Sequence, residues 1–262
     1  MMPYPALFIG HGNPLHALAQ SENSRAWRDM IDDLPRPRAI LCISAHWLTR
    51  GVAVTAMANP ETIHDFSGFP PALYALRYPA PGNPMLADEI TALLAPQAVT
   101  QDTERGLDHG AWSVLTHLYP DAGIPVLQLA LDLRMSAAEH YALAAKLQPL
   151  RDTGVLILGS GNIVHNLRRI DWQQPERGFD WAVRFQQGVR HHLAARLHTA
   201  LFDTSGPDAA LAVPTPDHYW PLLYIAAQQR AGEVVTFFND RIEYGSIGML
   251  SCRVGMSTPS AS

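Results

Sequence analysis

The sequence predicts a single α/β domain, and three observations predict it. The first is residues 39 to 47, Ala-Ile-Leu-Cys-Ile-Ser-Ala-His-Trp. Ala39 to Ser44 carry no charge, and Ile40, Leu41 and Ile43 suit a strand covered on both faces, as central strands of α/β sheets are. The second is that this run stops on His46, at the carboxyl end of the strand, where open α/β sheets collect their ligands. The third is that the design recurs. Ala6-Leu7-Phe8-Ile9 leads to Gly10-His11-Gly12, and Leu156-Ile157-Leu158 leads through Gly159-Ser160-Gly161-Asn162 to His165. Pro214-Thr215-Pro216-Asp217-His218 opens a helix, and the four turns read as one site.

In chain order, residues 5 to 9 form a first strand, and Gly10 to Pro14 bend sharply after it and display His11. Ser21 to Leu34 has helical periodicity through Ala26, Trp27, Met30, Ile31 and Leu34, and Pro35 and Pro37 end it. The strand at 39 to 44 follows, with Val52 to Met57 expected as its neighbour. Residues 59 to 84 contain Pro60, Pro70, Pro71, Pro79, Pro81 and Pro84, which exclude long regular elements. Long loops of this kind are often functional, and His64, Asp65, Phe66, Phe69, Tyr74 and Tyr78 suit the wall of an aromatic ligand's pocket.

Asn83 caps a helix whose first residue is Pro84, and Asp108-His109-Gly110 precedes a short helix from Ala111 to Tyr119. Pro125 to Leu131 is a strand, and Ser136 with Glu139 forms a capping box opening a helix to about Leu150. Gly154 to Leu158 is the strand that feeds His165. Between Phe179 and Phe202, Trp181, Phe185, Val189, Leu193, Leu197 and Leu201 recur every four residues, predicting one helix with a face buried on the sheet. His191, His192 and His198 are expected to be solvent-facing or partly buried on it, without a site role. Thr215 caps and Pro216 starts the next helix, although Pro221 inside it removes a hydrogen bond and shifts the start or kinks it. Val234 to Phe238 and Ile247 to Val254 close the fold, and residues 257 to 262 read as a disordered tail.

At 262 residues one domain with a large core is expected. A net charge of -5 offers no electrostatic reason for nucleic acid or an anionic membrane as partner, which leaves small molecules. No segment approaches the ~20 apolar residues of a membrane span, and the N-terminus lacks the basic region of a secretory signal, so the cytoplasm is expected. Cys42 and Cys252 lie in apolar runs and read as buried free thiols of a reducing compartment.

Twelve histidines against two cysteines point any metal site towards imidazole donors. His11, His46 and His218 stand on separate turns, without a local pair such as His-Glu-x-x-His, so a shared metal site and purely structural roles both remain open on spacing alone. Gly159-Ser160-Gly161 is neither a Walker motif nor a full dinucleotide fingerprint. Ser160 lacks the Gly-x-Ser-x-Gly elbow of a hydrolase nucleophile, because Asn162 stands where the last glycine belongs.

Six stretches carry a resemblance: 7 to 14, 43 to 47, 62 to 70, 108 to 112, 159 to 166 and 214 to 219. In order and across nearly the whole chain they resemble the 4,5-DOPA extradiol dioxygenase family. That family belongs to the class III extradiol ring-cleavage dioxygenases, related to the catalytic subunit of protocatechuate 4,5-dioxygenase. The resemblance implies a catalytic domain over residues 1 to 256, with a mixed central β-sheet, helices on both faces, and one divalent metal at the strand ends. His11, His46 and His218 match the metal positions. His165 matches the acid/base, close enough to serve as a fourth ligand to zinc, and His109 matches a histidine beside the ligands or the substrate. His64 and Tyr219 are expected at the substrate.

The implied reaction is extradiol opening of a DOPA-like catechol by O2 to a semialdehyde, in a monomer or small homo-oligomer. One departure matters: the wider superfamily uses two His and one Glu, whereas His218 takes the carboxylate's place. An all-His site lacks the anionic donor and suits Zn(II) as well as Fe(II). A zinc hydrolase and a catalytically silent metal-binding or interaction protein are therefore the alternatives.

Overall fold

The computed structural model describes residues 2–256, so the tail expected at 257–262 lies outside the described residues. The chain runs β1 (Ala6–Gly10), α1 (Glu22–Asp29), β2 (Ala39–Ser44), β3 (Leu48–Thr49) and β4 (Val52–Thr55). Then come α2 (Pro71–Ala75), α3 (Pro84–Leu94), β5 (Val99–Asp102), α4 (His109–Leu118), β6 (Val126–Gln128) and β7 (Leu131–Asp132). It continues through α5 (Ala137–Ala145), α6 (Gln148–Asp152), β8 (Val155–Gly161), α7 (Asp180–Ala194) and α8 (Pro207–Ala212). The last elements are α9 (Trp220–Ala226), β9 (Val234–Phe238), β10 (Ile242–Glu243), β11 (Ile247–Gly248) and β12 (Ser251–Gly255).

Six strands make the central sheet in the order β6-β2-β8-β1-β12-β9. The first four are mutually parallel and β12 is antiparallel to both its neighbours, so the sheet is mixed. Every residue of β8 is buried. Its Val155 and Ile157 face a core shared with α3, α5 and α9, while Leu156 and Leu158 face a second core shared with α1 and α4. Cover on both faces is why the central strands read as unbroken apolar runs instead of alternating ones. The register sets Gly10 beside Gly161 and Ser44 beside Ser160, so β1, β8 and β2 end level with one another. His11, His46 and the chain towards His165 all leave from that edge.

Several local expectations change in the tertiary context. β4 is not a neighbour of β2, because β6 and β8 occupy both edges of that strand. It pairs instead with β5, whose short polar run carries no strand signal. The helix expected from Ser136 to Leu150 breaks into α5 and α6, with Pro149 in the first turn of the second piece, where its missing N–H costs nothing. The four-residue repeat after Phe179 outlasts its helix. α7 ends at Ala194, Arg196 takes a left-handed φ of +59°, Leu197 is exposed, and a separate 3-10 turn follows. The buried side of α7 meets α8 and the edge strand β9, not the middle of the sheet. His198 is buried on the 3-10 turn, bonded to Tyr141 and Gln229, which makes it a structural residue. Pro221 does shift a helix start: α9 begins at Trp220, so Thr215 to Tyr219 form a turn, free to project His218.

His140 shows how burial couples this fold to pH. It is wholly buried beside Trp220, with Nδ1 3.0 Å from the Tyr224 hydroxyl. Burial lowers its pKa to about 4, against the opposing pull of Asp132. The unfolded chain binds this proton near 6.5 and the folded chain does not, so the contribution to stability is full above 6.5 and is lost as pH falls towards 4. In urea unfolding between pH 7 and 4.5, His140→Phe is expected to flatten the pH slope by up to about one proton. An unchanged slope would exclude His140 as a contributor.

Candidate functional site

Three short-range decisions place the histidines. β1 and β2 end at Gly10 and Ser44, just before His11 and His46, and α4 begins at His109 because Asp108 caps it, its carboxylate accepting from the Ala111 N–H. The wholly buried Asp108 also ties the cap to the strand ends. Ser44 Oγ donates to its Oδ1 at 2.7 Å, and Gln128 Nε2 and Arg105 donate to its Oδ2. Gly110 has to be glycine, since a Cβ there would stand 2.3 Å from Ser44 Oγ and 2.9 Å from the His46 ring. Gly161 is held the same way: a Cβ would stand 2.2 Å from the carbonyl of His218, whose turn presses onto the end of β8.

The ligand nitrogens of His11, His46 and His218 lie within 4.8 Å of one another, and the Nε2 atoms of His11 and His46 are 3.2 Å apart. Two donors at ~2.1 Å from a common tetrahedral ion stand roughly 3.4 Å apart, so this separation fits joint coordination. The hydrogen bonds behind the rings present the correct nitrogens. Ser160 Oγ donates to the Gly110 carbonyl at 2.6 Å, so it accepts from His11 Nδ1–H at 3.0 Å and leaves Nε2 with its lone pair. His218 Nδ1 donates to Asp217 at 2.5 Å, which frees its Nε2 in the same way. Ser160 is thus a buried orienting group, and its engagement disposes of the nucleophile reading.

Asp65, from the long loop, accepts from both the backbone N–H and Nδ1 of His109, at 3.0 and 2.9 Å, and its other oxygen lies 3.7 Å from His46 Nδ1. It serves an unpaired N–H in the first turn of α4 and fixes the His109 ring. Burial pushes its carboxyl up, but the hydrogen bonds and charge of His109, aided by His46, outweigh this and hold it at about 2. The pKa of Asp217 is also held well below the usual carboxylate range, because His218 outweighs burial. Burial first, and neighbouring histidines second, push His11 and His46 well below the ordinary imidazole value. Neutral rings with inward lone pairs are what a divalent cation requires of imidazole.

His165 stacks flat on His218, centroids 3.5 Å apart and 5° between planes. It clusters with Asp217 and His218, not with His11 and His46. Burial and the adjacent His218 lower its pKa to about 3, so it is neutral at pH 7.

These side chains line one cavity of about 480 Å³, largely apolar, whose walls include Phe66, Phe69, Leu167, Ile170, Trp172 and Ile247. Phe66 and Phe69 come from the long loop, as expected of it. His64 does not reach the cavity lining: it packs among Phe66, Tyr74 and Trp112, with Nε2 3.2 Å from the Leu76 carbonyl. Tyr219, expected at the substrate, points the other way. Its hydroxyl donates to the Leu201 carbonyl, and its ring borders a separate cavity of about 610 Å³ between α7 and α8 that holds none of the site histidines. Neighbours in sequence face opposite ways here because the turn before α9 spends His218 on the site and Tyr219 on the core. Sequence reasoning missed the supporting roles of Asp65, Asp217 and Ser160. Only Asp217, adjacent to His218, carried a local signal.

The comparisons point the same way. Residues 5–220 match the family described as the catalytic LigB subunit of aromatic ring-opening dioxygenase, and the chain belongs to that family. It is 45% identical over 256 residues to the 4,5-DOPA dioxygenase extradiol of Escherichia coli (strain K12), covering 96% of this chain and 94% of that protein. It is 39% identical over 232 residues to the 4,5-DOPA dioxygenase extradiol of Beta vulgaris, covering 82% of this chain and 83% of the relative. The crystal structure of an uncharacterized protein from Escherichia coli K12 superposes with a TM-score of 0.84 at 41% identity, over 97% of this chain and all of the other. Family and relatives support extradiol dioxygenase activity in general. No helix among the described residues is long and apolar enough to cross a membrane.

Proposed function

We propose that the protein opens the ring of a catechol with O2, using one divalent ion held by His11, His46 and His218. The observation that carries this is the convergence of three imidazoles, two with their outer nitrogens already tied as donors, in an aromatic-walled cavity at the strand ends. A bound divalent ion, Fe(II) for ring cleavage, would lower the pKa of a coordinated hydroxyl and bring diol and O2 together. The rest falls to the chain. Phe66, Phe69 and Ile247 hold the ring and exclude water. His165, neutral and beside His218, accepts the proton of a catechol hydroxyl and returns it as the ring opens. His109, anchored through Nδ1, keeps Nε2 for the oxygen or the substrate hydroxyl. Both atoms of O2 enter the product, the carbon–carbon bond beside the diol breaks, and no external reductant is consumed. Buried free thiols at Cys42 and Cys252 accord with a cytoplasmic setting.

One observation favours a second reading, a zinc hydrolase: the donor set is all imidazole, with no carboxylate among the three. Anaerobic incubation with Fe(II) and a catechol, followed by admission of air, separates the two. Oxygen uptake with a yellow product supports ring opening; turnover without oxygen supports hydrolysis; neither leaves a silent metal-binding protein. Asp65→Ala tests the anchoring of His109. It is expected to lower kcat/KM by about 10- to 100-fold, as loss of a partner behind a working histidine does. Unchanged kinetics in a folded Asp65→Ala protein would remove His109 from the mechanism.

A further inference from the structure

One arginine beside the site is engaged in a way that the stability of the fold does not explain. Arg105 follows β5, and among the described residues its side chain bonds through Nη2 alone, which donates to the His46 carbonyl and to Asp108 Oδ2, each at 3.2 Å. The guanidinium carbon lies 5.1 Å from the centre of the Trp47 ring, and Nε is buried without a partner. Arg151, wholly buried and structural, uses Nε, Nη1 and Nη2 on Tyr4, Gln228 and Glu233. An orphaned buried N–H is destabilising, so the placing of Arg105 needs a reason other than stability.

The reason lies in what its two acceptors hold. His46 is fixed at both ends of its backbone: its N–H donates to Ser44 Oγ at 3.2 Å, and its carbonyl accepts from Arg105, with no other donor to that carbonyl among the described residues. Both tethers end on one carboxylate, since Ser44 Oγ donates to Asp108 Oδ1 and Arg105 to Oδ2. Gln128 locks the same residue, donating from Nε2 to Oδ2 at 2.7 Å and accepting the Asp108 N–H at Oε1 at 2.9 Å. Asp108 in turn caps the helix whose first residue is His109, and the rings of His46 and His109 stand 3.9 Å apart between centroids. A converging imidazole and the histidine beside it therefore share one anchor, and Arg105 is the only side chain that joins that anchor to the far side of His46.

We propose that Arg105 is a positioning residue: paired with Asp108, it sets the angle at which His46 presents Nε2 to a divalent ion and keeps His109 in register with it. The assignment rests on the metal reading of the site and deepens it, and its first test uses no catechol. Co(II) is the probe, because its affinity is read by competition with a chelator and its visible absorption band reports the geometry of its donors. Arg105→Met keeps an apolar stem over Trp47 and removes the donors. Asp108 retains Ser44, Gln128 and the Ala111 N–H, so the fold should survive. Arg36→Met, which removes an exposed pair with Asp121, is the control for a lost ion pair.

Arg105→Met is expected to weaken Co(II) binding by about tenfold or more and to alter the visible band, as loss of a partner behind a ligand does. Arg105→Lys restores a charged donor and should recover most of that affinity, while Arg36→Met should change neither readout. With Fe(II) saturating, kcat on a catechol should fall about tenfold in Arg105→Met while KM moves little. The proposal is overturned by a Co(II) affinity unchanged in Arg105→Met, or by a raised KM with kcat unchanged. It is equally overturned if the affinity loss comes with a drop in metal-free melting temperature larger than in Arg36→Met and is not recovered in Arg105→Lys. Should Arg105→Met not fold, the shorter, uncharged Arg105→Gln decides, and unchanged affinity there overturns the proposal. If no catechol consumes oxygen, the ring-opening reading fails and the Co(II) comparison still decides Arg105. Wild-type protein that binds neither Co(II) nor Zn(II) fails the metal reading, and the proposal falls with it.

Discussion

His46→Ala, His11→Ala and His218→Ala are each expected to weaken metal binding by more than about 100-fold, beyond the cost of losing a partner behind a ligand. Ring-opening activity should fall with occupancy. The fold should survive in all three, because the rings sit on turns beyond the strand ends while the two cores lie beneath them. Metal analysis after dialysis, alongside thermal melts, checks both halves of the expectation. Full occupancy in His218→Ala would remove the third ligand, and the all-histidine donor set with it. Ser160→Ala makes a graded companion. It withdraws the acceptor that fixes the His11 tautomer, and a loss of about 10- to 100-fold in affinity is expected without an empty site.

His165→Gln is expected to behave in the opposite manner, retaining metal and catechol binding while ring opening slows by ~10²- to 10⁴-fold, the usual worth of a positioned acid/base. The geometry separates the two cases. His165 lies face to face with His218 and clusters with Asp217, while the three converging donors are drawn from other turns. A single-turnover rate measured at known metal content distinguishes them. Metal loss comparable to His218→Ala would make His165 a ligand, and undiminished turnover with Fe(II) restored would pass the acid/base role to His109. Burial also alters the expected charge state, since an unperturbed imidazole would be part-protonated near pH 6.5. With its pKa at about 3 in the cavity, His165 is already in the form that accepts a proton.

What the sequence determined by itself is what neighbours along the chain control. Strand periods, proline and glycine punctuation, and the caps at Asn83 and Ser136 place most elements to within a few residues; both of those caps form, whereas the one expected at Thr215 does not, since α9 starts only at Trp220. The positions of His11 and His46 at strand ends follow from the same local pattern, because an apolar run that stops on a polar residue marks where the sheet leaves the core. Local pattern has no access to strand order. The insertion of β8 between β2 and β1 brings Ser160 under His11 from 149 positions away, and the folding of the long loop brings Asp65 to His109 across 44. Those contacts, like the outward turn of Tyr219 and the meeting of Tyr244 with Trp172, depend on how the packed cores orient side chains far apart in the chain. Burial, hydrogen-bond geometry and the resulting imidazole pKa values are properties of that enclosure, so only the tertiary structure decides them.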